Sequence, residues 1–249
     1  MKTHTIYIKE VDSTNDFLHR YTPSSEEQMT VAWTDFQTSG RGCDTNTWES
    51  EAGKNLTFSV LLHPVSVPVA NQFILSMANA LALRDMLQTF VGEITIKWPN
   101  DIYWRDRKLC GTLIEPSLRG GLIKDCVIGT GINVNQTVFV GDAPNPVSLA
   151  MILGHEMDRE QVLGQVTEAL SWYMDQVADV TTWPLLRRRY KDSLYRGVGE
   201  HPFRSDADGL FMASIIDVED DGHLVLRCRV ADGQYERRRY LFKEVSFVL

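Results

Sequence analysis

The sequence predicts a mixed α+β fold that is followed by a small all-β region. Strand-like and helix-like patterns alternate through residues 1–196, and the longest helical pattern, at 69–91, carries a broad apolar stripe. Beyond residue 196 only short β-type segments remain, separated by Asp-Gly turn pairs. We therefore expect a first domain at 1–196 and a small antiparallel β-barrel at 197–249.

Length and composition limit the class of protein. The 249 residues suit one large domain, or one of about 200 residues with an appendage. A net charge of −8 opposes a nucleic-acid partner, which usually needs a basic face. No stretch of 18 apolar residues predicts a membrane span, and residues 1–10 lack the apolar segment of a signal peptide. The four cysteines lack metal-binding or Cys-x-x-Cys spacing, so we expect free thiols, no zinc and a cytoplasmic location.

The first half of the chain alternates between the two patterns. Residues 5–8 predict a strand, and the polar cluster at 12–16 predicts the start of a helix. Residues 31–33 and 56–62 predict strands on either side of a glycine-rich loop. The helical pattern at 69–91 comes next.

The alternation at 94–98 predicts a strand that places Lys97 on the face opposite the core. A charged hairpin tip follows at 104–108, and in the next strand Lys108, Cys110, Thr112 and Ile114 are predicted to point one way. Further elements are predicted as a strand at 126–134, helices at 159–177 and 184–193, and strands at 210–218, 223–230 and 240–249.

Three short segments carry residues suited to joining a carboxylate to a nucleotide phosphate. They are Gly40-Arg41-Gly42 with Trp48 beyond it, Lys97-Trp98-Pro99-Asn100-Asp101, and Lys108. Two anions about 4 Å apart repel by roughly 1 kcal/mol in water and by more in a drier site. Cations and backbone N–H groups must therefore offset the repulsion. The flat indole ring of Trp48 can stack against the base of the nucleotide.

Each segment also has a plainer interpretation. Gly40-Arg41-Gly42 is equally compatible with a surface turn; Thr45 stands where a dinucleotide fingerprint needs its third glycine, and no P-loop motif occurs. Trp48 alone suits a core position, Lys108 alone a solvated hairpin, and Ser13-Thr14-Asn15 a helix cap. Lys97 is harder to explain in this way, because a lysine on a strand that ends in Pro-Asn-Asp costs stability unless an anion meets it.

Taken together, these motifs resemble those of the biotin protein ligases over nearly the whole chain. The most specific are Lys97-Trp98-Pro99-Asn100-Asp101 and Lys108-Leu109-Cys110-Gly111-Thr112-Leu113-Ile114-Glu115. The others are Asp12-Ser13-Thr14-Asn15, Gln37 before Gly40-Arg41-Gly42, Gly129-Thr130-Gly131-Ile132-Asn133-Val134-Asn135, and Phe242-Lys243-Glu244-Val245-Ser246.

The resemblance implies a ligase that works in two steps. The biotin carboxylate attacks the α-phosphate of ATP, aided by Mg²⁺, and the resulting biotinyl-5′-adenylate acylates a lysine of a biotin carrier domain of a carboxylase. The implied fold is a mixed, mainly antiparallel sheet with flanking helices, similar to class II aminoacyl-tRNA synthetases, followed by a small SH3-like barrel. The sequence does not separate a monomer from a homodimer.

The resemblance also implies roles for individual residues. Lys108 would be the main electrostatic catalyst, with Arg41 and Asp101 beside it. Asp101 would hold Mg²⁺ through ATP or assist deprotonation of the acceptor lysine. The biotin contacts would be Ser13, Thr14, Asn15, Gln37, Gly40, Arg41, Gly42, Cys43, Lys108 and Gly111. The ATP contacts would be Arg41, Trp48, Lys97, Asn100, Asp101 and Asn133.

One position departs from the family. Many members carry Gly-Arg-Gly-Arg, and here Cys43 replaces the second arginine, so a charged contact to the adenylate is lost.

The alternative within the same superfamily is a lipoate–protein ligase, which the Ser-Thr-Asn and Lys-Trp-Pro-Asn-Asp motifs disfavour. A biotin-dependent transcriptional regulator is opposed by the acidic composition and by the lack of a basic DNA-binding module. A non-catalytic biotin-binding module is opposed by Lys108.

Overall fold

A computed structural model describes residues 1–42, 47–64, 67–141, 145–230 and 233–248. The strands of its larger sheet are β1 (Thr3–Val11), β2 (Met29–Gln37), β3 (Leu56–Leu62), β4 (Ile94–Lys97), β5 (Asp101–Trp104), β6 (Arg107–Arg119) and β7 (Leu122–Ile132). The α-helices are α1 (Thr14–Arg20), α2 (Phe73–Phe90), α3 (Leu149–Leu153), α4 (Arg159–Ala178) and α5 (Trp183–Asp192). Short 3-10 turns span Val69–Asn71 and Val180–Thr182.

The larger sheet has seven strands in the order β1-β2-β3-β7-β6-β5-β4. Only the β1–β2 pair is parallel; the other neighbouring pairs run antiparallel. The prediction of a mixed, mainly antiparallel sheet with flanking helices is therefore confirmed. None of the described helices combines the length and the apolar character that a membrane span would need.

The two faces of this sheet are covered unequally. Helices α2, α4 and α5 bury their apolar side chains against one face and form the main core. On the other face α1 covers only a small cluster, in which Leu18 packs on Ala32, Leu61 and Val127. The central strands β3, β7 and β6 are therefore left accessible beside the N-terminal end of α1.

The direction predicted for Lys108 is wrong, because β6 contains a β-bulge. Ile102 pairs with Cys110, but its neighbour Tyr103 pairs with Lys108, so Leu109 is an extra residue in the strand. Cys110 is fully buried in the core, whereas Lys108 lies on the same side as Gly111. The bulge thereby aims the lysine at the open face of the sheet.

The C-terminal region forms a second sheet of five strands in the order β11-β10-β9-β8-β12. In the described residues the end strands are not paired with each other, so the sheet is open and the predicted barrel is not confirmed. The single strand predicted at 240–249 is also wrong, because a turn after Tyr240 divides it. The strands are β8 (His201–Ser205), β9 (Gly209–Val218), β10 (Leu224–Arg229), β11 (Tyr235–Tyr240) and β12 (Val245–Phe247).

Candidate active site

Glycines form the floor of a first cavity on the α1 side of the larger sheet. Gly111 on β6 pairs with Gly131 on β7, and Gly129 lies two residues before Gly131 in the same strand. A Cβ atom on Gly129 would lie 2.2 Å from Oδ1 of Asn15, and one on Gly131 would lie 2.1 Å from the Trp48 ring. The backbone itself is therefore the surface of this floor.

Polar side chains at the start of α1 form one wall of the cavity. Ser13 caps the helix, as the sequence predicts, by accepting a hydrogen bond from the Asp16 amide at 3.3 Å. The amide and hydroxyl of Thr14 both donate to Oε1 of Gln37, at 2.8 and 3.0 Å. The hydroxyl of Ser59 donates to Oδ1 of Asn15 at 2.5 Å. Because these buried groups hold one another, their orientation is fixed before a ligand arrives.

Glu115 connects this wall to Arg41. Its carboxylate accepts a hydrogen bond from Nδ2 of Asn15 at 2.7 Å, contacts His19 at 3.1 Å, and pairs with Arg41 at 3.1 Å. Burial alone would raise the pKa of Glu115, but the hydrogen bonds from Asn15 and His19 and the charge of Arg41 together lower it. Glu115 is thus held as an anion at the edge of the cavity.

The indole of Trp48 fills much of the first cavity. Its ring lies over Gly131 and near Gly111, and its amide donates to the Gly40 carbonyl at 3.1 Å. Nε1 of Trp48 is buried and has no hydrogen-bond partner among the described residues. The remaining volume is about 40 Å³, whereas ligand pockets usually measure about 300–1,000 Å³. A ligand of that size therefore requires the indole to move.

A second, wider cavity of about 320 Å³ lies between β4–β6 and the C-terminal segment 242–247. Lys97, Asn100, Asp101 and Lys108 line it. Nζ of Lys108 pairs with Oδ1 of Asp101 at 2.8 Å, and the Asn100 amide donates to the Thr112 carbonyl. The cavity therefore presents three lysines, Lys97, Lys108 and Lys243, and one carboxylate.

Lys97 has a different environment from Lys108. Its Nζ donates to the hydroxyl of Tyr103 at 3.0 Å, and it has no carboxylate oxygen within 4 Å in the described part of the chain. Burial lowers the pKa of Lys97, the nearby charge of Asp101 opposes that change, and the positive charges of Lys108 and Arg196 add to it. This ammonium is therefore costly to keep charged without an anion.

Lys108 lines the second cavity at the point where it adjoins the first. Its head group lies in the second cavity, and a Cβ atom on Gly111, which lines the first, would be 3.2 Å from its Nζ. The β-bulge at Leu109 produces this position, as described above. A glycine-floored polar pocket and a cationic pocket thus meet at a single ammonium group.

The structure brings together most of the residues selected from the sequence. Gly40 packs tightly against Gln37 and Trp48, and Gly42 follows Arg41. Asn133 lies apart from both cavities: it is buried, and its amide donates to the Val147 carbonyl at 3.1 Å. Cys43 lies outside the described residues. The residues lining the first cavity include Ser13, Thr14, Asn15, Gln37, Arg41, Trp48 and Gly111, and those lining the second include Lys97, Asn100, Asp101 and Lys108.

Several residues of the site were not selected from the sequence. Glu115 ends the Lys-x-x-Gly-x-Leu-x-Glu motif, so its position in that motif was an available signal. Ser59 lies in a continuous apolar strand, where a small hydroxyl residue gives no signal of its own. Tyr103 and Phe247 contact Lys97 and look like ordinary strand aromatics in the sequence.

Comparison with known proteins identifies the class. The sequence model of the Biotin/lipoate A/B protein ligase family matches residues 7–133, and the chain belongs to this family. Among named proteins, it is 28% identical to the "Bifunctional ligase/repressor BirA" of Bacillus subtilis over 91% of this chain and 70% of that protein. It is also 28% identical to the "Biotin--[acetyl-CoA-carboxylase] ligase" of Paracoccus denitrificans, over 77% of this chain and 81% of that one.

A solved structure agrees with both named relatives. The biotin protein ligase of Aquifex aeolicus in complex with biotin and ATP superimposes with a TM-score of 0.77 and 25% identity, covering 98% of this chain and 97% of that one. The likeness therefore includes both sheets.

Proposed function

We propose that this protein is a biotin protein ligase, as the two cavities and the named relatives together support. In the first step a biotin carboxylate oxygen bonds to the α-phosphorus of ATP, the bond to the β-phosphate breaks, and pyrophosphate leaves. In the second step the neutral amine of an acceptor lysine attacks the biotinyl carbonyl. An amide forms, AMP leaves, and the amine loses a proton.

The position of Lys108 carries this proposal. It stands between a pocket suited to a neutral ring system and a pocket suited to phosphates. An ammonium at that junction offsets the repulsion between the carboxylate and the α-phosphate, and it does so most strongly as they approach in the transition state. Asp101 orients the ammonium through the 2.8 Å ion pair.

The first cavity is assigned to biotin. The ureido ring presents donors and an acceptor, which Thr14, Asn15 and Gln37 can match at the wall. Buried polar groups give strong discrimination, because an acid without matching groups leaves them unpaired. Lipoate has no ureido group, so this wall favours biotin over lipoate. The small residues of the floor, Gly111, Gly129 and Gly131, allow a flat ring to lie against the sheet.

The second cavity is assigned to the nucleotide. Lys97 and Asn100 would bind its phosphates, Arg41 would bind the α-phosphate, and Trp48 would pack against the adenine after leaving the first cavity. Asn133 would act on ATP indirectly, because its amide holds the backbone of the segment that follows β7.

One side chain in this cavity is suited to binding Mg²⁺. Mg²⁺ is usually held by one or two carboxylates together with substrate phosphates, and Asp101 is a carboxylate facing the phosphate pocket. The ion would neutralise phosphate charge during adenylate formation. The one three-ligand cluster among the described residues, Glu219, Asp221 and His223, belongs to the second sheet.

The acceptor would be the biotin carrier domain of a carboxylase in the cytoplasm.

The division into domains at 1–196 and 197–249 also remains our proposal, with the second domain related to an SH3-like barrel. Two contacts hold the proposed domains together: Nε1 of Trp98 donates to the Gly222 carbonyl at 2.9 Å, and Arg187 pairs with Asp220 at 2.5 Å. The second domain would thus close one side of the nucleotide cavity.

Pyrophosphate release from ATP and Mg²⁺ tests this function. We expect release that depends on biotin and does not occur with lipoate, followed by AMP release and a mass increase of one biotinyl group on an added carrier domain. A folded preparation that releases no pyrophosphate with biotin would disprove the proposal. Release with lipoate instead would transfer the assignment to the lipoate branch.

A further inference from the structure

Two aromatic rings lie close to the ammonium of Lys97. Its Nζ lies 4.8 Å from the ring centre of Tyr103 and 5.5 Å from that of Phe247. Both distances are within the range at which a ring face attracts a cation. Lys108, in the same cavity, is paired with the carboxylate of Asp101 instead. The two lysines are therefore held by different means.

Phe247 reaches Lys97 from the other sheet. It lies on β12, where its backbone pairs with Phe203 on β8. The Phe247 ring packs 4.9 Å from the ring of Phe203 and 5.9 Å from that of Tyr195. These neighbours hold the ring in place, so its position depends on the packing of the C-terminal sheet.

A ring and a carboxylate would have opposite effects on an incoming anion. A carboxylate beside Lys97 would hold the side chain but would also compete with phosphate for the ammonium and repel it. An aromatic face attracts the ammonium through its quadrupole and carries no net charge, so the lysine keeps its attraction for an anion.

We propose that Phe247 is a positioning residue for ATP: its ring, supplied by the C-terminal sheet, holds the Lys97 ammonium in the second cavity for the nucleotide phosphates. The proposal rests on the proposed function, because it takes the ligand of that cavity to be ATP. It assigns the C-terminal sheet a direct part in nucleotide affinity, in addition to its part in enclosing the cavity.

The test compares substitutions at two phenylalanines of the C-terminal sheet in the full-length protein. Phe247→Leu removes the ring but keeps apolar volume, and Phe247→Tyr keeps a ring. Phe211→Leu is the matched control, because its ring packs on Phe203 and Tyr240 and, among the described residues, has no ring contact with Phe247 or Lys97. For Phe247→Leu we expect the KM for ATP in pyrophosphate release to rise about two- to thirtyfold, the range of a cation–π contact. The KM for biotin and kcat should stay near wild type.

A second comparison separates positioning from packing. Phe247→Tyr should restore most of the ATP affinity, and Phe247→Leu should add little in a Lys97→Gln background, since the ring acts through the lysine. An equal rise in KM for Phe211→Leu, an unchanged KM for Phe247→Leu, or full additivity with Lys97→Gln would each overturn the proposal. Phe247→Met provides the same test if the leucine variant does not fold.

The outcome is distinguishable from failure of the proposed function. Biotin-dependent pyrophosphate release by the wild-type protein tests the function itself. If the wild type is active and Phe247→Leu leaves the KM for ATP unchanged, only the role of Phe247 is refuted.

Discussion

Arg41 is bound by two carboxylates at once: Nη2 donates to Asp16 at 2.7 Å, and Nη1 donates to Glu115 at 3.1 Å. Asp16 belongs to α1 and Glu115 to β6, so the guanidinium links the helix to the sheet at the edge of the first cavity. A phosphate that binds Arg41 must compete with both carboxylates. These ion pairs therefore oppose nucleotide binding at Arg41 to a modest degree.

Weakening this competition should favour ATP. In Asp16→Asn the guanidinium loses one charged partner, and we expect the KM for ATP to fall by about two- to fivefold, in keeping with the strength of an exposed ion pair. Asp12→Asn is the matched control, because Asp12 pairs with Arg20 at 3.2 Å, near the same helix. A higher KM in Asp16→Asn would mean that Asp16 orients Arg41 toward the bound phosphate.

Removing the shared ammonium should slow the first step. For Lys108→Ala we expect adenylate formation to slow by two or more orders of magnitude, on the scale of losing a preorganised charged group. Lys54→Ala removes a lysine whose ion pair, with Glu156 at 2.7 Å, lies outside both cavities, and it should leave the rate unchanged. Single-turnover pyrophosphate release measures both. Wild-type turnover in Lys108→Ala would contradict the central role assigned to this lysine.

Lys97 should make ATP use sensitive to alkaline pH. A lysine is charged below its pKa, and the pKa of Lys97 is lowered chiefly by burial. As pH rises through that lowered pKa, the ammonium loses its proton and kcat/KM for ATP should decline earlier than an ordinary lysine would cause. In Lys97→Arg, which stays charged, the decline should move to higher pH. Identical alkaline limbs in both proteins would exclude Lys97 as the titrating group.

The glycine floor should tolerate no side chain. A methyl group on Gly131 would lie 2.1 Å from the Trp48 ring and would occupy the surface assigned to biotin. For Gly131→Ala we expect biotin affinity, measured by calorimetry, to fall by roughly five- to 150-fold, since overpacking typically costs about 1–3 kcal/mol. Gly92→Ala is the control, because nothing lies within 4 Å of the added Cβ. Equal biotin affinity in wild type and Gly131→Ala would place the ligand elsewhere.

Cys43 bears on retention of the intermediate. If this position lies beside the adenylate, as the resemblance implies, the missing arginine removes a charge-assisted hydrogen bond of about 1.5–3 kcal/mol. Cys43→Arg should then slow dissociation of biotinyl-adenylate by roughly ten- to a hundredfold. Rapid dilution of the preloaded protein measures this rate. Unchanged dissociation would show that position 43 does not hold the intermediate.

Patterns with a clear period predicted the elements that build the site. The strand at 56–62, the helix cap at Ser13 and the helices at 159–177 and 184–193 agree closely with the structure. The bulge at Leu109 could not be read from the sequence, because it changes the register of a strand without requiring a special residue type. The direction of Lys108, and hence the joining of the two cavities, followed only from the structure.

Other features depended on contacts between distant residues. Short elements such as β5, β8 and α3 have too few residues for a period to emerge. The roles of Ser59 and Glu115 arise because Asn15 of α1 hydrogen-bonds to Ser59 on β3 and to Glu115 on β6, which no local pattern records. Closure of the second sheet depends on pairing between its end strands, and alternation within each strand carries no information about that pairing.

The floor at Gly111, Gly129 and Gly131 limits how the substrate range of this enzyme can change. Main-chain atoms already define the deepest surface of the cavity, and any replacement at these positions adds atoms and makes the cavity shallower. Acceptance of a bulkier acid must therefore come from smaller wall residues at positions such as Thr14 or Gln37, at the expense of the groups that we propose to recognise biotin. Broader substrate use and loss of biotin selectivity are in this way bound to the same few positions.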